Sequence, residues 1–149
     1  GVKVPVRPGG FSFLELLVVV GLLAILLVVA LPQLFAPEEL GVETTARQVA
    51  ADLVLARRLA IARRMPYVVS FAPPGGPYTA YTVAPQGGAP EPDFPKSLPE
   101  RIAVTGSDLV TFQPSGAASA AARLRFAAGG ATAQVDVAAG TGRVRVSAP

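Results

Sequence analysis

An uncharged apolar run from Leu16 to Ala36 constrains this chain more than any other feature. It is 21 residues long, roughly 32 Å as a helix, close to the ~30 Å hydrocarbon core of a bilayer. One carboxylate, Glu15, sits just before it. A charge held in lipid costs at least ~2.5–3.5 kcal/mol on insertion scales, so Glu15 needs a partner. That partner is expected on another copy or another subunit, which points to an assembling protein rather than a soluble enzyme. Gly1 to Gly10 is short, rich in Pro and Gly, and basic through Lys3 and Arg7. It has no apolar core of its own, unlike an ordinary secretory signal. A cut between Gly10 and Phe11 would leave the apolar run in the mature protein. Lys3 and Arg7 favour a single pass with the amino terminus inside and the carboxy terminus outside. Pro32 removes the backbone bond to residue 28, which predicts a kink or local melting there.

Composition narrows the chemistry. The chain has 149 residues, enough for about one domain beyond the apolar run. It contains no Cys, His or Trp. Disulfide frameworks, Cys/His zinc sites, Cys nucleophiles and His-based triads are therefore excluded. The carboxylates are scattered, and none pairs in sequence with a nucleophile or forms a metal-ligand pattern. No catalytic residue, metal or cofactor is expected. The net charge of +3 falls to +1 without Lys3 and Arg7, so global charge argues only weakly for an anionic partner.

After the apolar run, charges return with helical spacing. Val42, Ala46, Val49, Leu53, Ala56 and Ala60 step by fours and threes, which places them on one face of a helix. Arg63 and Arg64 suit its carboxyl end, and Pro66 ends it. Ala36–Pro37 and Leu40–Gly41 are expected breaks that allow a bend. The period then changes. Strands are expected at Tyr67–Phe71, Tyr78–Val83, Ile102–Thr105, Leu109–Gln113, Arg123–Ala127, Ala133–Val137 and Arg143–Ser147. Pro85 to Pro99 reads as an extended loop. The alternation of Val135 and Val137 with Gln134 and Asp136 is that of a half-buried antiparallel sheet.

Gly10, Phe11, Glu15, the apolar run and Pro32 together resemble the type IV pilin and pseudopilin superfamily. The resemblance implies cleavage by a prepilin peptidase between Gly10 and Phe11, with N-methylation of Phe11. It also implies that Glu15 pairs with the amino terminus of a neighbouring subunit, and that Pro32 is the family's helix-interrupting proline. Three later segments are similar to the GspH/FimT group of minor pilins and pseudopilins. They are Ala56-Arg57-Arg58-Leu59-Ala60-Ile61, Val110 to Gly116, and Gly142-Arg143-Val144-Arg145-Val146. The implied fold is α+β, a long amino-terminal transmembrane and amphipathic helix packed on a small antiparallel β-rich head. The expected divisions are a leader (1–10), a transmembrane or filament-core helix (11–36), an amphipathic helix (37–66) and the head (67–149). The implied location is the inner membrane, then a periplasmic or cell-surface filament.

Arginines on the late strands carry the remaining signal. Arg123 and Arg125 flank Leu124, and Arg143 and Arg145 flank Val144, so each pair points to one face. On neighbouring strands, four guanidiniums would form a stripe able to contact phosphates without reading sequence. DNA-binding members of the FimT branch carry a Gly-Arg-x-Arg motif here, which Gly142-Arg143-Val144-Arg145 resembles. Against this, Asp136 offsets part of the charge, and few aromatics lie nearby to stack on bases. A solvated or subunit-pairing face is the plainer alternative. The functional expectation is a minor pilin assembled with other pilin subunits, with double-stranded DNA as a further partner. The rival is a type II secretion pseudopilin whose head contacts protein.

Overall fold

The structure, a computed structural model, describes residues 12–34 and 37–148. The chain divides into two compact units, Gly1–Pro37 and Glu38–Pro149.

The first unit contains helix α1, Phe13–Leu34. Ser12 caps it. The Leu16 amide donates to the Ser12 carbonyl at 3.0 Å, and the Glu15 amide donates to Ser12 Oγ at 3.1 Å. The first of these bonds opens the helical ladder, and the second satisfies a first-turn amide that has no partner inside the helix. The expected melting at Pro32 does not occur, because α1 continues two residues past the proline. From Phe13 to Val28 every residue is exposed, and the apolar side chains cover the helix on all sides.

Helix α2, Pro37–Arg63, opens the second unit from Glu38 onward. The expected break at Leu40–Gly41 is absent, since one glycine inside a long helix costs only about 1 kcal/mol relative to Ala. The helix ends with Arg64 in the left-handed region at φ 53°, and the Met65 amide returns to the Ala60 carbonyl at 3.3 Å. That is a Schellman closure, with Pro66 preventing continuation.

Eight strands follow: β1 (Tyr67–Ala72), β2 (Ala80–Pro85), β3 (Lys96–Ser97), β4 (Ala103–Gly106), β5 (Leu109–Phe112), β6 (Ala122–Ala128), β7 (Ala131–Val137) and β8 (Val144–Ser147). They form two four-stranded antiparallel sheets, ordered β3-β2-β1-β5 and β4-β6-β7-β8. The short β3 lies inside the segment expected to be loop. All six residues of the expected α2 stripe are buried, and they share one core with the inner faces of both sheets. Tyr67, Val69 and Phe71 come from β1, Leu124 and Phe126 from β6, and Val135 and Val137 from β7. Four alanines on the α2 face (Ala46, Ala50, Ala56 and Ala60) keep its surface low, so the sheets can approach the helix closely.

Candidate functional site

Strand alternation buries Leu124 and Phe126 and turns Arg123 and Arg125 outward. The register then decides what lies beside them. Arg123 pairs with Asp136, and Asp136 pairs with Arg145, so a carboxylate sits between two guanidiniums across β6, β7 and β8. One row along, Arg125 pairs with Gln134 and Gln134 with Ser147. Arg143 precedes β8, where its amide donates to Thr141 Oγ1 at 3.2 Å.

Arg123, Arg143 and Arg145 line one open groove of about 660 Å³, together with Asp136, Ser107 and Thr141. Arg125 lies on the same face but in a second, smaller groove of about 370 Å³ with Gln134 and Ser147. Three of the four predicted arginines therefore converge, and the fourth flanks them.

Asp136 sets the electrostatics of the groove. Its Oδ1 accepts from Arg123 Nε at 2.8 Å, and both its oxygens accept from Gln134 Nε2 at 3.2 and 3.0 Å. The Gln134 bond, then Arg123, holds this carboxyl below the usual Asp range, with a smaller contribution from Arg145. Asp136 is thus ionised at neutral pH and occupies Arg123. Arg143 and Arg145 are exposed and form no ion pair among the described residues.

Of the other expected site residues, Gly10 and Phe11 lie outside the described residues. Glu15 is exposed in the first turn of α1. Pro32 lies within α1. Among the described residues no group of His, Cys, Asp and Glu could hold a metal ion.

One polar cluster was not anticipated. Asp52 on α2 is 7% exposed. Its carboxylate accepts from the Tyr81 hydroxyl at 2.5 Å and from Lys96 Nζ at 3.0 Å. Lys96 Nζ also lies 4.9 Å from the centre of the Phe94 ring. Burial, and next the Asp52 bond, push the Tyr81 phenol far above its ordinary value. The spacing did carry a signal: Asp52 falls three residues after Val49 and four before Ala56, inside the apolar stripe.

Residues 45–142 match the family model described as type II transport protein GspH. The chain belongs to the GspH family. The type IV minor pilin FimU of Pseudomonas aeruginosa has a similar fold, with a TM-score of 0.60 at 14% identity. That likeness covers 72% of this chain and 92% of FimU. The minor pseudopilin EpsH from the type 2 secretion system of Vibrio cholerae is similar too, with a TM-score of 0.60 at 16% identity, over 72% of this chain and 97% of EpsH. No curated protein sequence matches the chain. This GspH-family chain thus shares its fold with a minor pilin and with a minor pseudopilin. The FimU and EpsH likenesses, at equal TM-score, establish the fold alike for both branches.

Proposed function

We propose that this chain is a minor pilin, cut between Gly10 and Phe11 by a prepilin peptidase, methylated on Phe11, and assembled with other pilin subunits. One observation carries the reading: α1 is apolar on all sides and exposed along its described side chains, in a chain whose second unit has the GspH fold. A helix apolar all round belongs in a membrane or a large apolar core. Among the described residues, whose side chains in α1 run from Phe13 to Val28, no helix is long and apolar enough to cross a membrane. The inner membrane, with the head outside, is therefore proposed from the full sequence run Leu16–Ala36 as the station before assembly. Intact-mass and peptide mass spectrometry of the native protein tests this. A methylated amino terminus at Phe11 is the expected result, and an uncut chain through Gly10 would refute it.

The arginine face supports a second element, contact with duplex DNA at a filament surface. Arg143 and Arg145 with Arg125 offer two to three phosphate contacts, and the groove lining includes no aromatic ring on which a base could stack. Such binding follows the backbone rather than sequence. Two to three contacts give a slope of log K against log salt of about −1.8 to −2.7, or about a 12- to 40-fold loss between 50 and 200 mM salt. The full chain in detergent should show this, and Arg143→Ala with Arg145→Ala should remove most of it. Binding unchanged in the double variant would refute the DNA reading. The rival is a secretion pseudopilin whose groove meets an acidic protein surface. It is favoured by the family's description and by the EpsH likeness. Co-purification with secretion pseudopilins rather than pilus subunits would select it.

A further inference from the structure

Three sequence segments distant from one another meet at a single carbonyl. Arg57 on α2 donates from Nε to the Gly116 carbonyl oxygen at 2.9 Å, and Arg57 is half-buried. Gly116 follows β5, and its backbone lies in the left-handed region at φ 91°. Gly142, in the turn between β7 and β8, is also left-handed, at φ 68°. A Cβ added at Gly142 would collide with that same Gly116 oxygen and come within 3.1 Å of Arg57 Nε. A Cβ at Gly116 would meet Ile61 Cδ1 at 3.0 Å and Arg57 Nη2 at 3.1 Å. The Gly116 oxygen therefore sits between the Arg57 side chain and the bare Cα of Gly142. Both glycines are needed for conformation and for space.

The turn held at this point carries the groove's cations. The Gly142 amide donates to the Ala138 carbonyl at 2.8 Å, and the Ala138 amide donates to the Arg143 carbonyl at 3.0 Å. Arg143 is the next residue after Gly142, and both it and Arg145 line the groove. Arg57 does not line either groove.

We infer that Arg57 is a positioning residue for the arginine groove: through the Gly116 carbonyl it fixes the β7–β8 turn and so sets the direction of Arg143. The node joins α2 to the loop after β5 and to the β7–β8 turn. Its consequence for binding rests on the phosphate reading of the groove, whereas the fixing of the turn does not.

The test uses the full chain in detergent, with a random-sequence DNA duplex as the probe. Two readouts are needed. The first is amide hydrogen exchange at Gly142, which needs no DNA. Arg57→Ala should speed it at least tenfold while β1 and β6 amides keep their protection. Unchanged exchange at Gly142 overturns the proposal. The second is a double-mutant cycle with Arg143→Ala. Arg57→Ala alone should flatten the salt slope by about 0.9, as loss of one phosphate contact does. In the Arg143→Ala background it should change affinity by less than about twofold, the scatter expected when two changes act through one group. Additive losses would mean that Arg57 reaches phosphate itself, which overturns the proposal. Arg57→Lys keeps the charge and the aliphatic stem, so it guards against simple misfolding. If Lys restores DNA affinity while Gly142 exchange stays fast, positioning is refuted. If Arg143→Ala leaves DNA binding intact, the phosphate reading fails by itself and the exchange result still decides the role of Arg57.

Discussion

Asp52→Ala gives the sharpest check on how the head is held to its helix. The substitution removes the carboxylate that accepts from the Tyr81 hydroxyl, whose residue is 2% exposed. A buried hydroxyl without a partner costs about 1–3 kcal/mol. Lys96 also loses its carboxylate, but its side chain is 30% exposed and can turn to water, so this adds at most about 1 kcal/mol, as for a surface pair. Ala is the better helix former by roughly 0.7 kcal/mol, which offsets part of the loss. The net expectation is about 0.3–3.3 kcal/mol of destabilisation, centred near 2. With a urea m-value of roughly 1–3 kcal/mol/M, the midpoint should fall by about 1 M. Tyrosine fluorescence and circular dichroism can follow the transition, since the chain has no Trp. Tyr81→Phe should cost about 1.5–3 kcal/mol, as a hydrogen bond to a charged group does. The double variant decides the mechanism. With the hydroxyl gone, Asp52→Ala no longer orphans anything, so the pair should lose clearly less than the sum of the singles. Strict additivity, or no loss of stability for Asp52→Ala, would refute the claim that this cluster ties α2 to the sheet.

Two further outcomes follow from the same geometry. Asp136→Asn releases Arg123 from its carboxylate, so duplex binding should tighten and its salt slope steepen by about 0.9; a titration at two salt concentrations checks this, and weaker binding would refute it. All three tyrosines are raised above their ordinary range, each chiefly by burial, with Tyr78 pushed up to about 12. Folding favours the neutral phenols, so their contribution is complete below about pH 10 and is lost as pH rises above it, for Tyr78 through about 12. Phenolate absorbance should therefore appear late and together with unfolding, and a phenol that titrates normally in the folded chain would contradict the burial.

The α2 stripe was readable residue by residue because one helical face is buried along its whole length, which imposes the 3.6-residue period on the sequence. Seven strand positions were readable for the equivalent reason, a period of two against a core. The division into two sheets was not, since it depends on which strands pair at long range. For the same reason Arg123 and Arg145 were visible as alternating cations, but the carboxylate seated between them needed the β6–β7–β8 register. The strand β3 has two residues, too few to set a period. Gly41 and Pro32 looked like breaks because local propensity disfavours them. The helices run through both positions, and at Gly41 one glycine is a small local cost. Arg57 stayed hidden inside a cationic run with Arg58, because its role depends on a carbonyl 59 residues away.

Glu15 is the residue on which sequence and structure pull hardest in different directions. Its charge beside an apolar run demands a partner from another molecule. In the structure it stands at the third helical position after Ser12, and its amide is capped by the Ser12 hydroxyl. The spacing Ser-x-x-Glu is that of a capping box, and a carboxylate there also faces the positive end of the helix dipole. Glu15 thus has a local reason to exist as well as an intermolecular one, and Glu15→Gln separates them. Glutamine serves a capping box nearly as well but carries no charge. If capping were its whole role, Gln would leave both helix content and incorporation into filaments unchanged. If the charge pairs with a neighbour's amino terminus in a low-dielectric core, helicity in detergent should persist and incorporation should fail. The expected result is the second, and wild-type incorporation of Glu15→Gln would leave the cap as the explanation for this residue.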